Sequence, residues 1–153
     1  MARGSRKTTD RTGSLQVGSS TVKQRQPATR VMMMPRDTNP AGTIFGGVIL
    51  SYLDQAGAEG AYRGGAHRVV TAAMKEVVFH EPVFVGDLVS FYTEVVGRGR
   101  TSITIRVAVE ASRRWDRNEV AKVTEAEITY VNVNPEGRPV PLPGDPGKDC
   151  FGS

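Results

Sequence analysis

Apolar and polar positions along the chain follow two periods, and the change between them predicts the elements. Ala28 to Met34 is a short apolar run ended by Pro35, long enough for one strand and too short for a helix. Arg36 to Thr43 consists of turn formers and predicts a loop. From Phe45 to Arg63 the period is helical, with Ile49, Tyr52, Leu53, Ala56 and Gly60 at i, i+3, i+4, i+7 and i+11, and Gly64-Gly65 ends the run. Gly57 and Gly60 weaken such a helix, which makes sense where another element approaches that face closely. Beyond Gly65 the period becomes 2, with breaks at Glu81-Pro82, Val85-Gly86-Asp87, Gly97-Arg98-Gly99 and Trp115 to Asn118, so four strands follow the helix.

Ile103, Ile105, Val107, Val109 and Ala111 alternate with Ser102, Thr104, Arg106, Ala108 and Glu110, the signature of a sheet with one face buried and one largely polar. The class is α+β: strand, loop, long helix, then four antiparallel strands, the last three joined by short turns in a meander. A single helix covers one face of such a sheet, and its apolar stripe requires wrapping. An exposed strand edge favours pairing with a second copy, so a dimer is expected. Residues 1–27 read as a basic flexible tail, 28–143 as the domain, and 144–153 as a flexible tail, with everything from Pro135 onward irregular.

Composition narrows the classes of function. With 153 residues, 39% hydrophobic and 24% charged, the chain suits one domain and excludes wholesale disorder. No apolar run approaches the roughly 20 residues of a membrane-spanning helix, and no secretory h-region is present, so a cytoplasmic protein without membrane insertion is expected. Residues 1–26 hold six bases (Arg3, Arg6, Lys7, Arg11, Lys23, Arg25) against Asp10, so the net +4 of the chain resides in the leader and the remainder carries −1. The body is near neutral, and it is not expected to bind nucleic acid. The lone cysteine, Cys150, excludes an intrachain disulfide and a cysteine metal cluster, and two histidines, His67 and His80, are too few for a His-rich metal site.

Among residues able to do chemistry, Asp54 stands out. On the helix it shares a face with Gly47, Leu50, Ser51, Ala58 and Ala61, and a carboxylate among such neighbours is expected to be partly desolvated, a candidate base or nucleophile. The alternative is an ordinary polar helix position. Gly46-Gly47 at the helix start leaves backbone N–H groups open to a ligand oxygen, or is a plain junction. Asn39 turns the chain or orients a water or carbonyl. Arg98-Gly99-Arg100-Thr101-Ser102 gathers two cations and two hydroxyls, which suits phosphate binding and a solvated hairpin tip equally. His80 and Glu81, as adjacent strand residues, point to opposite faces, and Ser51 has no histidine placed to activate it.

The run Asp37-Thr38-Asn39-Pro40-Ala41-Gly42-Thr43-Ile44-Phe45-Gly46-Gly47, continued by Ser51-Tyr52-Leu53-Asp54, resembles the signature of hot-dog-fold acyl-CoA thioesterases, closest to the YciA-like bacterial enzymes with the cytosolic acyl-CoA hydrolases as relatives. Val69-Val70-Thr71-Ala72, Val85-Gly86-Asp87, Gly99 to Ser102, Tyr130-Val131 and Pro135 to Pro139 extend the resemblance over about residues 28–143. It implies a hot-dog fold with the long helix inside an antiparallel sheet, homodimers sharing a continuous sheet, and a trimer of dimers. It also implies hydrolysis of acyl-CoA to fatty acid and coenzyme A, with no separate cofactor. Asp54 matches the family's catalytic carboxylate, Asn39 its active-site asparagine from the neighbouring subunit, and Gly47, supported by Gly46, its oxyanion donor. Arg98, Gly99, Arg100, Thr101 and Ser102 fall where coenzyme A binds, and no metal is implied. Phe45 stands where many relatives have histidine. A non-catalytic acyl-CoA-binding hot-dog protein and a hot-dog dehydratase or hydratase are the rival readings.

Overall fold

The computed structural model describes residues 25–144. Within them the order is β1 (Thr29–Met32), a 3-10 turn (Pro35–Asp37), α1 (Gly46–Arg63), β2 (Val69–Met74), β3 (Leu88–Arg98), β4 (Ser102–Ser112) and β5 (Val120–Asn132). One antiparallel sheet runs β1-β3-β4-β5-β2, so the long meander β3-β4-β5 forms the centre and the two short strands form the edges.

The alternation in β4 determines which side is core. Ile103, Ile105, Val107, Val109 and Ala111 are fully buried, whereas Thr104, Arg106, Ala108 and Glu110 are half-exposed on the opposite face. The sheet curls its apolar face around α1, whose Ile49, Leu53 and Ala56 join Phe91, Ile128 and the β4 residues in one core. Full burial of each Leu, Ile or Phe here contributes about 1.5–3 kcal/mol. The close approach expected at the helix glycines is present. A Cβ on Gly60 would lie 3.0 Å from Thr93 and 3.1 Å from Ile105, and one on Gly57 would collide with the Tyr130 hydroxyl. This is the hot-dog architecture, with one long helix held by a curled five-stranded sheet.

Two segments depart from the sequence pattern. The period-2 pattern carried the strand after the helix to Glu81-Pro82, but β2 ends at Met74. Residues 75–80 only follow β5, with Lys75 N–H donating to the Glu127 carbonyl and His80 N–H to the Val123 carbonyl, and residues 83–87 bond instead to Met33 and Ile44. Five residues on one side span four on the other, so the segment is one residue too long to keep a ladder. Composition predicts an irregular chain from Pro135 onward. The chain turns at Gly137, where φ is +81°, and returns as a bridge between Val133 and Pro139. Leu142 is buried and its N–H donates to the Arg100 carbonyl, because this stretch supplies an apolar side chain that the end of the sheet can cover. Of the two expected tails, residues 1–24 and 145–153, including Cys150, lie outside the described residues. Arg25 is described, pairing with Glu110 at 2.7 Å over the Tyr92 ring.

The loop before β3 is pinned by a buried ion pair. Asp87 is wholly buried and accepts from Phe84 N–H at 2.9 Å, Arg113 Nη1 at 2.7 Å and Arg114 N–H at 3.2 Å. Arg113 also donates to the Pro82 carbonyl and lies against the Phe84 and Trp115 rings. At the other end of the molecule the Asn132 side chain accepts from His67 and Arg68 N–H and donates to the Val140 and Pro141 carbonyls, tying three segments together.

Candidate active site

Asp54 lies midway along α1, next to the core residue Leu53 and half-buried itself. Its Oδ1 accepts from Thr71 Oγ at 2.7 Å and from the Tyr130 hydroxyl at 3.1 Å. The same phenol donates at 2.7 Å to the Asp54 carbonyl. Thr71 and Tyr130 are register partners on β2 and β5, so one rung of the sheet supplies both donors. Burial, and then the charge of and hydrogen bond to Asp54, push the Tyr130 phenol far above its ordinary range, which keeps it a donor in neutral water. Asp54 Oδ2 has no partner among the described residues and is the carboxylate oxygen free to meet a substrate.

The start of α1 holds the second group of expected site residues. Phe45 occupies the N-cap with no side-chain bond, its own N–H donating to Asp37 and its carbonyl accepting from Val48 N–H. The N–H groups of Gly46 and Gly47 have no partner among the described residues, as the first turn of an uncapped helix leaves them. A Cβ on Gly46 would sit 3.3 Å from the Phe79 ring, while one on Gly47 would meet nothing within 4 Å. Packing therefore favours glycine at 46, and approach from solvent is open at 47. A cleft of about 290 Å³ adjoins this end, walled by Ile44, Ile49, Phe79, His80 and Val83.

The other expected site residues lie apart from these two centres within one chain. Asn39 folds into its own loop, with Oδ1 accepting from Ala41 and Thr43 N–H and Nδ2 donating to Thr43 Oγ at 2.8 Å. The turn from Arg98 to Ser102 closes through Gly99 N–H to the Ser102 carbonyl, with Arg98 and Arg100 exposed. It stands at the C-terminal end of α1, where Arg98 approaches Gly65. His67 and His80 make no hydrogen bond to Asp54, and Ser51 Oγ only accepts from Gln55. Thr71 and Tyr130 carry no role in the sequence reading. The available signal was a tyrosine in the buried phase of a strand, since a buried phenol needs a partner.

A profile of the thioesterase superfamily matches residues 41–114. The acyl-CoA thioester hydrolase YciA of Salmonella typhimurium is 42% identical over 116 residues, 74% of this chain and 87% of that one. Among solved structures, Cj0915, a hexameric hot-dog-fold thioesterase of Campylobacter jejuni, superposes with a TM-score of 0.71 at 48% identity, over 76% of this chain and 90% of that one. HI0827, a hexameric broad-specificity acyl-coenzyme A thioesterase solved as an aspartate-to-alanine mutant, superposes with a TM-score of 0.74 at 35% identity, over 82% and 92%. No helix among the described residues is long and apolar enough to cross a membrane.

Proposed function

The chain belongs to the thioesterase superfamily, among its acyl-CoA thioester hydrolases, and from that premise we propose that Asp54 and the helix-start amide of Gly47 are the two halves of its catalytic centre. The protein hydrolyses acyl-CoA, converting thioester and water to a carboxylic acid and free coenzyme A. The observation that carries the site is Asp54, a carboxylate fixed through Oδ1 and open at Oδ2.

Two routes use the same oxygen. As general base, Oδ2 takes a proton from water as the water oxygen attacks the carbonyl carbon. As nucleophile, Oδ2 attacks directly, and water then opens the resulting anhydride. In each the thioester oxygen gains negative charge, which the Gly47 N–H stabilises, and collapse expels the coenzyme A thiolate, which takes up a proton. Neither route takes a metal or a cofactor beyond water.

Helix geometry supports a centre built from two subunits. Gly47 and Asp54 are seven residues apart on one helix, about 10 Å along its axis. Reacting atoms meet at about 3 Å, so a single chain does not bring both to one carbonyl. The centre therefore combines Gly47 of one subunit with Asp54 of the partner subunit. Strand β2, at the sheet edge with Val70, Thr71, Ala72 and Ala73 exposed, suits pairing with its own copy to extend the sheet. We assign a homodimer on this edge, assembling further as a trimer of dimers as in the hexameric neighbours. In this arrangement Asn39 shapes the loop before Gly47 and serves the centre shared with the neighbouring subunit. Arg98 to Ser102, with Arg100 at the tip, bind the phosphates of coenzyme A. Domain limits at 28–143 and a cytoplasmic location accompany this reading.

The test is thiol release across acyl-CoA chain lengths by the native protein and by Asp54→Ala. Turnover by the native chain and its loss in the variant support the assignment. Full turnover in a folded Asp54→Ala contradicts it.

A further inference from the structure

We infer that Tyr130 is a positioning residue for hydrolysis: from β5 it holds Asp54 Oδ1 and the helix carbonyl behind it, leaving Oδ2 as the single reacting oxygen. The inference rests on the assignment of Asp54 to the reaction and adds which oxygen reacts and what orients it.

A carboxylate on an exposed helix face samples rotamers in which either oxygen points outward. Here the phenol bridges two acceptors of one residue, the Asp54 carbonyl at 2.7 Å and Oδ1 at 3.1 Å, so it links the side-chain rotamer to the helix backbone. Thr71 adds a second bond to the same oxygen at 2.7 Å. Both bonds fall on Oδ1 and none of the described residues donates to Oδ2, so the donors select one oxygen as well as retaining the carboxylate. Tyr130 is almost wholly buried, and its ring is fixed by core packing, so the hydroxyl cannot swing away.

The helix carries a matching adaptation. Gly57, three residues beyond Asp54, is the position whose Cβ would collide with the Tyr130 hydroxyl and lie 3.0 Å from the ring carbon bearing it. An internal helix glycine costs roughly 1 kcal/mol against alanine. Its presence here is explained by the seat it leaves for the phenol beneath Asp54.

The experiment is steady-state thiol release by Tyr130→Phe, Gly57→Ala, the double variant and Asp54→Ala in the full chain, each with a thermal melt. Losing one hydrogen bond to a charged group lowers kcat about ten-fold in Tyr130→Phe, with KM within two-fold of native because substrate is not touched. Gly57→Ala displaces the same hydroxyl, so adding it to Tyr130→Phe costs little further kcat, a non-additive pair. Native kcat in Tyr130→Phe with Asp54→Ala inactive overturns the positioning role and leaves Asp54 in place. A parallel rise in KM, or independent additive losses in the double variant, makes Tyr130 merely structural and also overturns it. Native turnover in Asp54→Ala removes the underlying assignment. Where Gly57→Ala fails to fold, the kcat and KM of Tyr130→Phe alone decide.

Discussion

Thr71 Oγ donates at 2.7 Å to Asp54 Oδ1, and Thr71 sits on β2, one of the two edge strands of the sheet. The edge proposed to pair with a second copy is thus the edge that holds the carboxylate proposed to react. On that proposal, one side chain joins assembly to chemistry.

With that link, oligomeric state and turnover are expected to fall together. Val70→Asp places like charges where two copies of β2 meet in the proposed dimer, in a strand already at the sheet margin. Light scattering at micromolar concentration is expected to show monomer, with thiol release reduced at least ten-fold. A monomer of native activity would separate the two.

The buried pair of Asp87 and Arg113 fixes the loop that leads into β3, and removing one partner leaves the other charge buried. Asp87→Ala is expected to lose about 3–5 kcal/mol in urea unfolding. Asp87→Leu combined with Arg113→Met is expected to recover much of it, because apolar replacement of both partners removes the unpaired charge. A midpoint in Asp87→Ala equal to native would show that the pair adds nothing.

Arg100 is exposed at the tip of the β3–β4 turn while its carbonyl is held by Leu142 N–H, so truncating the side chain leaves the turn intact. A phosphate contact acts alike in ground and transition states, so Arg100→Ala is expected to raise KM for acyl-CoA several-fold with kcat nearly unchanged. A loss of kcat at native KM would count against a coenzyme A contact there.

The sequence reveals the fold through its periods. The helical stripe of Ile49, Leu53 and Ala56 and the alternation from Ile103 to Ala111 each report one buried face, and burial is what period encodes. Residues 75–80 kept an apparent strand rhythm without a ladder because register with β5 depends on residue count across the pair, which no single segment carries. Asp54 and the two helix-start glycines were legible as a carboxylate among small residues and an uncapped helix start. Tyr130 and Thr71 were hidden for the opposite reason. Their contact with Asp54 comes from a rung of the sheet meeting a helix 17 and 76 residues away in the chain, and spacing along the sequence does not carry that meeting.

The central claim is a catalytic centre shared between two copies, and mixed oligomers test it most directly. Asp54→Asn and Asn39→Ala are each expected to abolish most hydrolysis with the fold intact, since Asp54 lies outside the buried stripe of α1 and the bonds of the Asn39 side chain stay within its own loop. If the centre joins Asn39 of one subunit to Asp54 of the partner subunit, a dimer of one variant with the other holds one site with both native residues and one with neither. Refolding the two variants together at equal concentration makes about half the dimers mixed, and thiol release is expected to return to about a quarter of native. Activity no higher than that of the separate variants, with subunit exchange verified, would contradict the shared centre.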